Sequence, residues 1–214
     1  MSRRIHDLTL ARLDELPDPC RSCMFWESAR ARRGPQRPDG LQAKEAWLQA
    51  TQLEWGAPGK VVEIDGRTVA YGLFAPAGHF PRARRVGRVA SEDALLLATC
   101  WVAPEVRGGG VGKVLLHALL RETHKRGARA LEAYGARPGD PSVTCAIPEG
   151  FLLANGFAIL HDDPEWPLLR LDLRQTVRDS VGHALDTVRS ALAPRREPAP
   201  APVRSNSAAQ SPQQ

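Results

Sequence analysis

Glycine and basic residues are concentrated between positions 107 and 113, which read Arg-Gly-Gly-Gly-Val-Gly-Lys. Glycines lack a Cβ atom, so their backbone amides can approach a ligand closely and their φ angles can be positive. A helix that begins at about Val111 would direct its unpaired N–H groups, and the positive end of its dipole, at this loop. The segment therefore predicts a binding site for an anionic group such as phosphate.

Two regular elements must position this loop. Leu95 to Val102 is a continuous apolar run that stops before Pro104, which predicts a central strand buried on both faces. Val111 to Arg126 has apolar residues at helical spacing and is followed by Gly127, a typical helix stop. Several classes of phosphate-binding loop share the order of strand, glycine loop and helix.

The spacing of the glycines distinguishes among those classes. The dinucleotide motif Gly-x-Gly-x-x-Gly lacks its third glycine here, because Lys113 occupies that position. A nucleotide P-loop requires Ser or Thr after Gly-Lys, and this chain has Val114. What remains is the pattern Arg-x-x-Gly-x-Gly, formed by Arg107, Gly110 and Gly112.

Preceded by Val102-Ala103-Pro104 and followed by a helix, this pattern resembles the acetyl-CoA loop of the GNAT acetyltransferase superfamily. The short helix from Pro148, which ends at Asn155-Gly156-Phe157 before a strand, resembles the usual close of the same fold. The resemblance covers about residues 60–173. It implies an α/β fold, similar to the acyl-CoA N-acyltransferases, with a mixed, mostly antiparallel twisted sheet flanked by helices.

The resemblance also implies a reaction, in which an amine acceptor attacks the thioester of acetyl-CoA directly, without an acyl-enzyme. The pantetheine arm would lie between the predicted central strand and the next strand, Leu131 to Tyr134, and the phosphates would bind the amides of the glycine loop. The implied cofactor-binding residues are Cys100, Trp101, Val102, Arg107, Gly108, Gly109, Gly110, Val111, Gly112, Lys113 and Asn155.

The groups that handle protons depart from the family pattern. The usual general acid is a tyrosine just before Gly-Phe in the short last helix, where this chain has Leu153, Ala154 and Asn155. Tyr134 becomes the candidate acid, and packing in the core is its alternative role. The candidate bases are Glu132, Glu92, Asp93 and Glu63, none of them singled out by spacing, and a water chain is the alternative. We take Glu132 as the candidate base.

Two of the four cysteines, Cys20 and Cys23, form a Cys-x-x-Cys motif beside Phe25 and Trp26. Half a zinc site, a redox pair and thiols packed against the aromatic rings are the three interpretations. No further ligands follow at zinc spacing, and the flanking prolines do not fit a redox helix, so we favour packed thiols and predict no metal. Cys100 has no partner histidine in the sequence, which favours a buried strand residue over a nucleophile.

The net charge is +5, and the arginines form two groups. No aromatic residues are interleaved with either group, so a nucleic-acid surface is not supported. The arginines are either solvated charges of loops or part of a basic surface that attracts the phosphates of CoA. The two groups are Arg30, Arg32, Arg33 and Arg37, and then Arg82, Arg84, Arg85 and Arg88. No apolar run reaches the ~18 residues of a membrane span, and no apolar segment follows the N-terminus, so we expect a cytoplasmic protein that does not enter a membrane.

Periodicity and turn residues predict the remaining elements. They are a first strand within Arg4 to Leu13, a helix from Leu41 to Trp55, a hairpin of Lys60 to Ile64 and Arg67 to Phe74 joined by Asp65-Gly66, a strand from Ala130 to Tyr134, a loop from Gly135 to Ser142, and final strands at Phe157 to Leu160 and Leu168 to Leu173.

The sequence divides into an acetyltransferase-like domain over residues 1–174, an amphipathic helix over 175–192 and a disordered tail, rich in proline and alanine, over 193–214. The helix has a stripe formed by Val177, Val181, Leu185, Val188 and Leu192. This stripe would pack on the chain's own domain or on a second copy in a homodimer.

The leading hypothesis is an acetyl-CoA-dependent N-acetyltransferase acting on an amine-bearing small molecule, an antibiotic, or a protein lysine or N-terminus. A non-catalytic CoA-binding sensor or scaffold is the first alternative, because the usual tyrosine is absent and a Cys-x-x-Cys motif is present. A zinc-containing, nucleic-acid-associated protein is the second, because of Cys20, Cys23 and the basic charge.

Overall fold

The fold is built around one sheet, which a computed structural model describes for residues 2–29, 39–137 and 146–173. The strands are β1 (Arg3–Asp7), β2 (Gly59–Ile64), β3 (Arg67–Ala75), β4 (Ala94–Val102), β5 (Ala130–Ala136), β6 (Ile147–Pro148), β7 (Ala158–His161) and β8 (Leu168–Asp172). The helices are α1 (Gly40–Glu54), α2 (Val111–Lys125) and α3 (Glu149–Ala154). The C-terminal helix and tail predicted over 175–214, and most of the loop predicted over 135–142, lie outside the described residues.

The strand order in the sheet is β1-β2-β3-β4-β5-β8-β7, and the short β6 pairs with β5. Neighbouring strands are antiparallel except for β4 with β5 and β5 with β6. The mixed, mostly antiparallel sheet expected from the sequence is confirmed.

The two faces of the sheet are covered by different parts of the chain. One apolar cluster joins strand residues such as Leu97 and Leu131 to Leu115 and Leu119 of α2 and to Leu152 of α3. The other cluster contains Leu48 of α1 and apolar residues of the segment that precedes α1. A site that reaches both faces can therefore combine residues from the two halves of the chain.

The strands β4 and β5 separate soon after they begin. They pair over three positions, Ala94 to Leu96 with Ala130 to Glu132, whereas β4 pairs with β3 as far as Val102. The β3–β4 register shifts at Ala98, where β4 carries one extra residue. Such a bulge bends a strand and changes which side chains face each side of the sheet. A gap consequently opens between the second half of β4 and β5.

Most local predictions agree with the structure, and the first strand is the main correction. The Asp65-Gly66 turn has positive φ at both residues, 48° and 82°, as its hairpin requires. The strand predicted within Arg4 to Leu13 ends at Asp7, and Leu10–Glu15 forms a 3₁₀ helix instead. Leu8 and Leu13 are buried while Ile5 is exposed, so the apolar alternation here does not mark one face of a strand.

The described helices were also compared with the requirements of a membrane span. Within residues 2–29, 39–137 and 146–173, no helix combines the length and the apolar character needed to cross a bilayer.

Candidate functional site

The site is built on the N-terminus of α2. Gly110 is its N-cap residue, and φ is positive at both Gly108 (77°) and Gly110 (79°), as the glycine loop requires. The first N–H groups of a helix have no intrahelical acceptor. No side chain caps this helix, and its first turn carries no acidic residue. The loop therefore presents unsatisfied amides and a positive dipole end, which together favour an anion.

Gly112 is required for a different reason, which is close packing. Its φ is not positive, but a Cβ atom at this position would lie 3.1 Å from the ring of Phe151 and 3.4 Å from a methyl group of Val102. The missing side chain lets the first turn of α2 approach both α3 and the end of β4. This contact brings the loop to the edge of the gap between β4 and β5.

A cleft of about 550 Å³ opens along the second half of β4 and is also lined by residues of β6 and α3. Its volume lies within the range of small-molecule sites. It is lined by Cys20, Thr99, Cys100, Trp101, Val102, Val106, Arg107, Gly108, Gly110, Val111, Gly112, Lys113, Ala146, Pro148 and Phe151. The structure thus brings together all the predicted cofactor-binding residues except Gly109 and Asn155, which do not line the cleft.

Two basic side chains stand at the loop end of the cleft. Arg107 is exposed, and its Nε donates a hydrogen bond to the carbonyl oxygen of Val102 at 3.0 Å, which holds the guanidinium beside the glycine loop. Lys113 lies in the first turn of α2 and is also exposed. Their positive charges add to the attraction of the helix terminus for an anion.

Asn155 has a structural contact. Its Nδ2 atom donates a hydrogen bond to the carbonyl oxygen of Phe151 at 2.7 Å. This bond satisfies one of the last carbonyl groups of α3, where the helix has no further N–H donors of its own. The side chain therefore helps to end α3 beside the cleft.

Tyr134, predicted as the acid, lies in the core on the face that α1 covers. It is 1% exposed, and its ring stacks on Trp26 with a centroid distance of 5.5 Å. Its hydroxyl donates a hydrogen bond to the carbonyl oxygen of Arg88 at 2.7 Å, and the carbonyl oxygen of Ala83 is a second acceptor at 3.2 Å. Burial, together with the nearby Glu132 carboxylate, raises the pKa of Tyr134 to about 12. The structure places it away from the cleft and does not support an acid role.

Glu132, predicted as the base, is fully buried in an ion-pair network. Its carboxylate accepts hydrogen bonds from the amide of Ser91 and from Arg170, both at 2.8 Å. Arg170 also bonds Asp93 and Asp172, and its hydrogen bond lowers the pKa of Asp93. These contacts hold the Glu132 carboxylate in the network, and the residue does not line the cleft, so its position does not support a base role. The other candidate bases, Glu63, Glu92 and Asp93, do not line the cleft either.

Cys20 is one of the cleft residues that the sequence did not assign to the site; the others are Thr99, Val106, Ala146, Pro148 and Phe151. Cys20 is 8% exposed, and it begins a 3₁₀ helix, Cys20–Ser22, in the segment before α1. Tyr71 of β3 hydrogen-bonds its sulfur, and burial raises the pKa of the Cys20 thiol. No local pattern indicates this position, because the tertiary fold brings Cys20 to the cleft from a distant part of the chain.

The turn that carries Cys20 and Cys23 is anchored by a buried ion pair. Lys44 of α1 pairs with Glu27, and its Nζ donates to the carbonyl oxygen of Cys23 at 2.9 Å. Among the described residues, no group of three or more His, Cys, Asp or Glu side chains is arranged to hold a metal ion.

Comparisons with known proteins were made by sequence and by structure. A sequence model described as the acetyltransferase (GNAT) family matches residues 22–146, more than half of the chain. No curated protein matches the chain by sequence.

Many solved structures are similar in fold, and three of them are the following. An N-acetyltransferase from Staphylococcus aureus Mu50 has 18% identity and a TM-score of 0.54, covering 81% of this chain and 99% of that one. The PaiA N-acetyltransferase from Thermoplasma acidophilum, in complex with coenzyme A, has 14% identity and a TM-score of 0.52, covering 80% and 99%. YncA from Salmonella typhimurium, with its cofactor acetyl-CoA, has 18% identity and a TM-score of 0.53, covering 81% and 95%.

Proposed function

Because the chain belongs to the acetyltransferase (GNAT) family, we propose that it transfers the acetyl group of acetyl-CoA directly to an amine acceptor. One observation carries the proposal: the N-terminus of α2 and the edge of β4 that β5 leaves unpaired meet in a single cleft. Two proteins of similar fold were solved with coenzyme A or acetyl-CoA, which supports the choice of ligand.

The loop end of the cleft fits the phosphates of coenzyme A. The amides of Val111, Gly112 and Lys113 begin α2 and have no intrahelical acceptor, so they are available to phosphate oxygens. Arg107 and Lys113 add positive charge at the same end. A phosphate oxygen bound here replaces water on amides that the fold itself leaves unsatisfied.

The strand edge fits the amide groups of the pantetheine arm. Beyond Leu96, β4 continues to Val102 without pairing to β5, so main-chain donors and acceptors of this half of the strand face the cleft. When bound, acetyl-CoA supplies a thioester carbonyl as the electrophile. A backbone N–H of this edge is the donor available to stabilise negative charge on that carbonyl oxygen.

The properties of the two cysteines that line the cleft favour direct transfer and argue against an acyl-enzyme intermediate. Burial raises the pKa of the Cys100 thiol to about 12 and also raises that of Cys20. A thiol is nucleophilic as its thiolate, so both groups are poor nucleophiles at neutral pH. The acceptor amine is then the group that attacks the thioester.

The test is acceptor-dependent release of coenzyme A. We expect calorimetry to detect acetyl-CoA binding, and at least one amine to accelerate coenzyme A formation while mass spectrometry finds that amine acetylated. The panel contains a polyamine, an aminoglycoside, free amino acids, and peptides with a free N-terminus or an internal lysine.

Two results would count against the proposal. If acetyl-CoA binds but coenzyme A is released equally slowly with and without every amine, the non-catalytic sensor or scaffold is favoured. If calorimetry detects no binding at high micromolar acetyl-CoA, the ligand itself is wrong.

A Tyr134→Phe variant tests whether this phenol contributes to the proposed reaction. We expect an unchanged turnover number, because Tyr134 does not line the cleft. The free energy of unfolding should fall by about 1 kcal/mol, because the variant loses a buried hydroxyl hydrogen bond. Urea denaturation and steady-state kinetics measure the two quantities. A large loss of turnover with unchanged stability would restore Tyr134 as the candidate acid.

A further inference from the structure

The groups in the cleft that can give up a proton fall into two sets. Arg107 and Lys113 stand at the loop end, where the phosphates are placed by the proposed function. Away from the loop, the described residues of the cleft lining that carry a hydroxyl or a thiol are Thr99, Cys20 and Cys100. The end of α3, Leu153 to Asn155, carries no ionisable side chain. Among the residues that the structure describes, a group that protonates the leaving sulfur comes from the second set.

We propose that Cys20 is the general acid of the acetyl transfer, and that Tyr71 stabilises the thiolate which Cys20 becomes. The inference rests on the proposed function, since it assigns a proton donor to that reaction. It identifies Cys20, from the N-terminal segment, as a member of the active site.

The position of Cys20 fits this role. The strand β4 runs toward the glycine loop, so following it backward from Val102 leads to Cys100 and Thr99, the path expected for the pantetheine arm. Cys20 lines the same cleft from the segment before α1, on the face opposite α2. Cys20 therefore lines the cleft along the part where the thioester is expected.

The groups around Cys20 allow its thiol to release a proton and its thiolate to take one back. Tyr71 hydrogen-bonds the sulfur, and the positive charge of Lys44 is close enough to favour the thiolate. Cys23 and Asp18 act in the opposite direction and favour the neutral thiol. Burial is the largest influence, so the pKa of Cys20 remains above its ordinary value and the proton is present at neutral pH.

Cys100 lacks this support. Burial raises its pKa, and among the described residues no hydrogen bond or charge lowers that pKa by stabilising the thiolate. A group that donates a proton in catalysis must be able to exist as its conjugate base for the duration of the step. Cys20 meets that requirement because of Tyr71 and Lys44.

The step balances without a further reactant. The acceptor enters as a neutral amine, having lost its extra proton to solvent. Its nitrogen forms a bond to the acetyl carbon, the carbon–sulfur bond breaks, and the electron pair of that bond goes to the sulfur of coenzyme A. This sulfur takes the proton of Cys20, and the Cys20 thiolate takes the proton that the nitrogen loses. The products are the acetylated amine and coenzyme A, with Cys20 restored.

The experiment compares Cys20→Ala with Cys23→Ala, which removes the other thiol of the same turn without changing a residue that lines the cleft. Turnover is measured against pH with the most active amine of the panel. Removal of a general acid lowers turnover on the order of 100-fold, so we expect this loss for Cys20→Ala and none for Cys23→Ala.

The pH profile separates this role from a packing role. The acid form of Cys20 is required, so wild-type turnover should fall as the pH rises through its raised pKa. This alkaline decline should be absent in Cys20→Ala and should shift to higher pH in Tyr71→Phe, which loses the hydrogen bond that favours the thiolate. Calorimetry should show that Cys20→Ala still binds acetyl-CoA, which also shows that the variant folds.

The outcomes distinguish the two proposals. A wild-type protein that acetylates no amine overturns the proposed function and this inference together. If the wild-type protein is active, and Cys20→Ala shows the same turnover and the same alkaline decline as Cys23→Ala, the inference alone is overturned. Loss of activity together with loss of acetyl-CoA binding in Cys20→Ala would also overturn it, because the thiol would then shape the cleft and not donate a proton.

Discussion

Replacing Gly110 with alanine is expected to weaken acetyl-CoA binding on the order of 100-fold. The Cβ atom meets no protein atom within 4 Å, so it enters the open space of the cleft, where the proposed phosphates lie. Displacing a phosphate from amide donors loses charge-assisted hydrogen bonds of about 1.5–3 kcal/mol each, and about 1.4 kcal/mol corresponds to tenfold in affinity. Isothermal titration calorimetry measures the change directly.

The same helix offers a matched control for this variant. Gly127 follows α2 at its other end, with φ of 76° against 79° at Gly110, and a Cβ atom there also meets nothing within 4 Å. Alanine at either position is strained by about 1–2 kcal/mol in the left-handed region, so both variants should lose similar stability. Equal acetyl-CoA affinities for Gly110→Ala and Gly127→Ala would refute the placement of the phosphates.

Replacing Lys44 with methionine is expected to lower the free energy of unfolding by about 3–5 kcal/mol, because one partner of a buried ion pair is removed. Lys44 is 2% exposed and Glu27 is 7% exposed. Methionine keeps most of the apolar stem but leaves the Glu27 carboxylate buried without its ammonium partner. It also removes the hydrogen bond to the carbonyl oxygen of Cys23. Guanidinium denaturation monitored by tryptophan fluorescence measures the loss.

Two further variants show whether the ion pair is the cause. Lys125→Met makes the same substitution at an exposed site in the last turn of α2, where a change within about 0.5 kcal/mol is expected. The double variant Glu27→Leu with Lys44→Met removes both charges and should recover most of the stability, since no unpaired charge remains. If Lys44→Met behaves like Lys125→Met, the pair does not hold this turn.

Features that depend on neighbouring residues could be predicted from the sequence. The Asp65-Gly66 hairpin, the β4 strand and the start of α2 follow from turn chemistry and from apolar runs, and the structure contains all three. Most of the residues predicted to bind the cofactor form one continuous stretch of chain, so a motif was enough to propose them. The gap beside β4 needed the structure, because strand pairing is not a local property.

Features that depend on which part of the chain covers a surface could not be predicted. Glu132 and Tyr134 lie on the same face of β5, and the sequence does not show that Arg170 and Trp26 will enclose them. In α1, Leu53 is exposed and Lys44 is buried, the reverse of what their polarity suggests. Lys44 is buried because Glu27, from a separate segment, meets it there. Cys20 reaches the cleft through the same long-range packing.

The short pairing between β4 and β5 divides the sheet into two wings, which are β1 to β4 and β5 to β8. Among the described residues, three residue pairs join β4 to β5. A ligand lying in the gap contacts both wings and stands in for the missing part of the ladder. If acetyl-CoA is that ligand, its occupancy adds to the stability of the fold, by about 2.7 kcal/mol at a concentration 100 times the dissociation constant. The lifetime of the protein in a cell would then depend on how fully the cleft is occupied.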